Sequence, residues 1–89
     1  MENKIKMENK IKQQFINSDF YTTAFLIANG YKLIRIDKSN PRRFRFILED
    51  REDRAKLLED FFNSKIEIEP RKFISAVKEL KSLMYSDAI

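Results

Sequence analysis

The first stretch of clear periodicity is SDFYTTAFLIAN, residues 18–29, where apolar positions step by three and four. Phe20, Ala24 and Ile27 form one stripe, and Tyr21, Phe25 and Ala28 a second beside it. That pattern predicts a helix apolar around most of its girth, hence central to the core. Ser18 is placed to cap its start, and Asp19 suits the positive end of the helix dipole. Gly30, the only glycine in the chain, sits where a left-handed residue would end it.

The period then changes to two. YKLIRID (31–37) and RFRFILE (43–49) predict a pair of strands joined by a five-residue loop, 38–42, with Asn40-Pro41 as turn chemistry. Phe44, Phe46 and Leu48 face one way, Arg43, Arg45 and Ile47 the other. In the first strand Ile34 and Ile36 oppose Leu33 and Arg35. The loop length pairs Ile36 with Phe44 and Ile34 with Phe46, which gathers the apolar residues on one face and should fix the register. The same register sets Asp37 opposite Arg43, and Arg35 opposite Arg45.

Helical spacing returns in REDRAKLLEDFF (51–62), through Ala55, Leu58, Phe61 and Phe62. Asp50 is its expected cap, with Asp53 three residues on. KIEIE (65–69) alternates and predicts a short third strand, with Glu67 and Glu69 on its wet side. Pro70 suits the first position of a last helix, 70–85. Phe73, Val77, Leu80 and Met84 make its stripe, Ile74 widens it, and Tyr85 is expected at the edge of the core. The order is helix, β-hairpin, helix, short strand, helix. The fold class is α+β, a two- or three-stranded antiparallel sheet with helices packed on one face.

The start of the chain says one six-residue phrase twice, MENKIKMENKIK. Six helical residues turn the chain by about 600°, so Ile5 and Ile11 would not share a face, and no heptad pattern follows. Residues 1–12 therefore read as a duplicated start without a separate function. Helix could begin near Ile11, Phe15 and Ile16, and Lys4, Lys6, Lys10 and Lys12 could lie on an anionic partner. The expected division is a mobile N-terminal tail over 1–17, one domain over 18–86, and a C-terminal tail over 87–89.

Composition narrows the chemistry. At 89 residues there is room for one domain, with a core small enough for an oligomer to contribute to stability. Neither cysteine nor histidine is present. That excludes disulfides, zinc sites built on thiolate or imidazole, and the Ser–His and Cys–His nucleophile pairs. No apolar run approaches the length of a membrane span, and no apolar segment of signal-peptide type opens the chain. The expectation is a cytoplasmic protein with no membrane partner.

Three further segments, FYTTAFLIANGYKLI, RFRFILED and PRKFISAVKELKSLMYS, together resemble a small prokaryotic family known as domain of unknown function 5659. The resemblance covers residues 18–86. It rests on a helix ending in Gly30-Tyr31, an aromatic strand Phe44-Arg45-Phe46 followed by acids, and Leu80-Lys81 in the last helix. It implies no activity and no catalytic residues. It does imply an association with phages and other mobile elements, which tilts the expectation toward nucleic acid or a host factor as partner.

The net charge is +4, but its distribution is uneven. From Tyr31 to Leu48 six cations (Lys32, Arg35, Lys38, Arg42, Arg43, Arg45) face one acid, Asp37, for a net +5. From Glu49 to Asp60 six acids face three cations, for −3. Two like charges across a sheet, Arg35 and Arg45, cost stability, and a phosphate held between their guanidiniums would remove that cost. Hence the expected function is nucleic-acid binding, DNA or RNA, through the hairpin. Arg35, Arg43 and Arg45 would contact phosphates, Lys38 and Arg42 would assist from the loop, and Tyr31 would stack on a base. The alternative is a protein-interaction module using the same face. Leu33 and Ile47 among the arginines suit an acidic protein partner or a second copy equally well.

Paired carboxylates could act as acid and base or hold Mg²⁺. Glu49, Asp50, Glu52 and Asp53 cluster at an expected helix start, where capping accounts for them. There is no glycine-rich phosphate loop. The chain is not expected to be an enzyme or to need a cofactor. Lys72, Lys78 and Lys81 read as the solvated side of the last helix.

Overall fold

The computed structural model describes residues 13–86. The duplicated start and the C-terminal tail fall outside the described residues. Three strands and three helices follow in the order β1 (Gln14–Asn17), α1 (Phe20–Ala28), β2 (Leu33–Asp37), β3 (Arg45–Glu49), α2 (Arg54–Phe62) and α3 (Pro70–Met84). The sheet is antiparallel with strand order β1-β3-β2. The α+β class holds, but the third strand differs from expectation. It is QFIN at 14–17, inside the expected N-terminal tail, and 65–69 forms no strand. Ile66 and Ile68 still pack on the core from that irregular segment.

The central strand explains why. Phe46, Ile47 and Leu48 are all nearly inaccessible, so the backbone N–H and C=O groups of β3 are cut off from water and need a ladder partner on each side. Phe15 pairs with Leu48 and Ile16 with Ile47. Asn17 fastens the end of β1 to the next helix. Its Oδ1 accepts the Asp19 N–H at 2.9 Å and its Nδ2 donates to Thr23 Oγ1 at 3.2 Å. Arg54 lies over the Phe15 ring, 4.0 Å from its centroid.

The hairpin register is shifted by two from the expected one. Ile36 pairs with Phe46 and Asp37 with Arg45, so Arg35 lies opposite Ile47 and not opposite Arg45. Two side chains lengthen the loop. Asp37 accepts the Ser39 N–H at 3.0 Å, and Asn40 accepts the Arg42 N–H at 3.0 Å. Asn40 to Arg43 then closes a turn with Pro41 second in it, through a 3.0 Å backbone bond. These local turns keep Phe44 out of the ladder, although it still packs against the core. An irregularity between Leu33 and Arg35 brings Leu33 and Ile36, three residues apart, onto the core. Leu33, expected among the arginines, is thereby a core residue, and Ile34 is not in the core cluster.

The core gathers one sheet face and three helices. Ala24, Phe25 and Leu26 of α1, Ile36, Phe46 and Leu48 of the sheet, Leu58 of α2, and Ala76 and Leu80 of α3 form it. Phe61 stacks on Phe25 with ring centroids 4.2 Å apart, which docks α2 on α1. Asp19, not Ser18, caps α1, accepting the Thr22 N–H at 2.7 Å. The helix ends as expected at Gly30, whose φ is +90°. Gly30 N–H donates to Ile27 C=O and Tyr31 N–H to Leu26 C=O, a Schellman closure. The second helix begins at Arg54 rather than Arg51, and Asp50 does not cap it. Glu69 caps α3 through the Lys72 N–H, with Pro70 in the first turn.

Candidate functional site

Six residues were expected to share one nucleic-acid surface, and the structure separates them. Tyr31 is 3% exposed. Its hydroxyl donates to Asp53 and the Arg51 guanidinium lies 4.5 Å from its ring centroid. Burial first, and the Asp53 carboxylate second, push its phenol above the usual range. The ring belongs to the core and is closed to a stacking base, which corrects the expectation.

Lys38 is also committed. Its ammonium donates to the carbonyls of Leu83 and Ser86, and it lies 5.9 Å from the Phe44 ring centroid. A cation there adds a second donor to the Leu83 carbonyl, which also accepts the Ser86 N–H at 3.2 Å, and complements the negative end of the helix dipole. Arg45 donates to Asp37 Oδ2 through Nε at 3.2 Å and Nη2 at 2.6 Å. The Ser39 hydroxyl first, and Arg45 next, hold the Asp37 carboxyl well below the usual carboxylate range. The expected Arg35–Arg45 phosphate clamp is therefore absent, because the register gives Arg45 an acid for a partner.

Arg35, Arg42 and Arg43 are exposed and have no ion pair among the described residues. The acidic stretch does not fold over them. Asp50 instead pairs with Arg54 at 3.0 Å, and Lys56 with Asp60 at 3.1 Å. The Arg54 hydrogen bond lowers the Asp50 pKa, and Asp50 raises that of Arg54. The Asp60 hydrogen bond likewise raises Lys56. These acids have structural partners, and no group of three or more metal-binding side chains occurs among the described residues.

Arg42 and Arg43 line an open groove of about 460 Å³ at the hairpin end of the domain. Phe20, Phe44 and Met84, all half-buried, supply its apolar surface, while Phe46, which also lines it, is nearly inaccessible. Ser18, Pro41 and Tyr85 complete its lining. Tyr85 is 84% exposed, against the expectation of a core edge. The signal was present in the sequence. Met84 completes the stripe of α3, so the next residue is rotated about 100° away from it. Arg35 lies elsewhere, on the sheet face that carries Ile16 and Ile47.

No helix among the described residues is long and apolar enough to cross a membrane. A family model described as domain of unknown function (DUF5659) matches residues 8–86, which takes in β1 as well as the elements after it. No curated protein and no solved structure matches the chain.

Proposed function

The chain belongs to the DUF5659 family, and on that premise we propose that it is a non-enzymatic accessory protein that binds nucleic acid through its hairpin loop. The reading includes a cytoplasmic location and the mobile-element setting that the family resemblance implies, and it needs no cofactor. One observation carries it. Two adjacent arginines, Arg42 and Arg43, stand exposed on an aromatic groove with no acid paired to either among the described residues. Arginine forks match phosphate oxygens, and aromatic surface between them suits bases. Arg35 on the sheet face would add a peripheral contact.

A protein interface of ordinary size needs about 800 Å² per partner around an apolar centre. At the groove the exposed large apolar residues are Tyr85 and Tyr21, whose ring centroid lies 5.0 Å from that of the lining Phe20, two residues where such an interface takes about 20–30 a side. Ile74 is eleven residues before Tyr85 along α3, about 16 Å away. The sheet face does favour a second reading. Ile16 is 47% exposed, on the same sheet face as Arg35, which has no ion pair among the described residues, a surface that an acidic protein or a second copy of the chain could cover.

Fluorescence anisotropy against DNA and RNA across a salt series tests the first reading. Two to three phosphate contacts predict a log–log slope of about −2 to −3 on duplex DNA. Arg42→Glu with Arg43→Glu should abolish binding while circular dichroism stays unchanged. Absence of binding at low salt, or binding indifferent to the double variant, would overturn it, and pull-downs with Arg35→Glu as control would then take up the second.

A further inference from the structure

We infer that the groove selects single-stranded over double-stranded nucleic acid by taking one unstacked base against Tyr85 while Arg42 and Arg43 hold the flanking phosphates. This rests on the nucleic-acid reading and goes further by naming the form of the ligand. The groove's volume, about 460 Å³, lies in the range of small-ligand sites and suits a nucleobase with part of its backbone. A duplex cannot enter it. The apolar lining matters most. Phe20, Phe44 and Met84 are half-buried apolar residues, whereas a duplex presents phosphates and groove edges and keeps its base faces stacked inside. Only an unpaired base offers a flat apolar face to such a surface.

The Tyr85 ring is suited to close on that base. At the C-cap of α3 it is 84% exposed, while its neighbours Leu83 and Met84 pack on the core. Its position is not left to chance. Lys38 Nζ binds the Leu83 and Ser86 carbonyls on either side of it, tying this corner to the hairpin that carries the arginines. Lys38 is thus a positioning residue, with Tyr85 and the two arginines as the contacts.

The test compares three labelled probes by anisotropy at low salt: a single strand of about twelve nucleotides, within the usual site size, a hairpin duplex of equal phosphate number, and an abasic strand of the same length. The single strand should bind at least tenfold tighter than the other two. Tyr85→Ala should weaken single-strand binding by about 5- to 150-fold, the general range for loss of one stacked base, and leave duplex binding unchanged. Tyr85→Phe should retain the preference. Equal affinity for the strand and the duplex, equal affinity for the abasic probe, or no effect of Tyr85→Ala where Arg42→Glu with Arg43→Glu abolishes binding, would each overturn this inference and leave the nucleic-acid reading standing. No binding of any nucleic acid would overturn both, and binding of an acidic peptide such as poly-glutamate would then favour the protein-partner reading.

Discussion

Asp37 lies directly across the hairpin from Arg45, with Arg45 Nη2 2.6 Å from Asp37 Oδ2. This pair decides which hairpin cations remain open to a ligand, since it takes Arg45 and leaves Arg35 beside Ile47. It also makes two otherwise similar substitutions unequal. Arg45→Glu sets like charges directly opposite and should lower the melting temperature measurably, more so at low ionic strength. Arg35→Glu should leave it unchanged. Thermal melts by circular dichroism at two salt concentrations compare them, and equal losses would mean that the register differs.

Tyr31 gives stability an alkaline limit. Its folded-state pKa lies above the unfolded value near 10, because the neutral phenol is buried and donates to Asp53. The favourable contribution is therefore fully present below about pH 10 and is lost as pH rises from there toward the folded value. Tyr31→Phe should lower stability near neutral pH by about 1 kcal/mol, the usual size of a lost hydrogen bond. It should also flatten the decline above pH 10. Denaturant midpoints of both proteins from pH 8 to pH 11 provide the comparison.

Two helix ends use the left-handed region, and they predict opposite responses. Gly30 has φ +90°, and a Cβ there would meet the Arg51 guanidinium only at ordinary contact distance, 3.6 Å. The cost of Gly30→Ala thus comes from the backbone, about 1 kcal/mol. Ser64 has φ 57° in the same closure after α2, with Ser64 N–H donating to Phe61 C=O and Lys65 N–H to Asp60 C=O. Here Ser64→Gly should raise stability by about 0.5 kcal/mol. Urea melts of the two variants should move in opposite directions.

Phe15 measures what β1 contributes. It is half-buried against the core, paired with Leu48 and covered by Arg54. Phe15→Ala should cost about 2 kcal/mol, less than for a fully buried phenylalanine, and should speed amide exchange at Ile16 and Asn17. Unchanged stability would show that β1 is not part of the cooperative unit.

The sequence by itself determined what neighbouring residues decide. The stripe of Phe73, Val77, Leu80 and Met84 is a property of a 3.6-residue turn. Pro70 marks a helix start, and Gly30 marks the end of α1 because only glycine takes that φ without strain. The alternation of Phe46 and Leu48 with Arg45 and Ile47 gave β3 its faces. Tertiary structure decided what depends on distant partners. Gln14–Asn17 is too short to show a period, and it becomes a strand only because β3 presents an open ladder edge to it. The register followed two polar turns, at Asp37 and Asn40, whose hydrogen bonds composition does not count. Tyr31 was closed to ligand by Asp53, 22 residues on, and Lys38 by carbonyls 45 and 48 residues away. A charge in the sequence is only a candidate; its availability depends on which groups the fold brings within hydrogen-bonding distance.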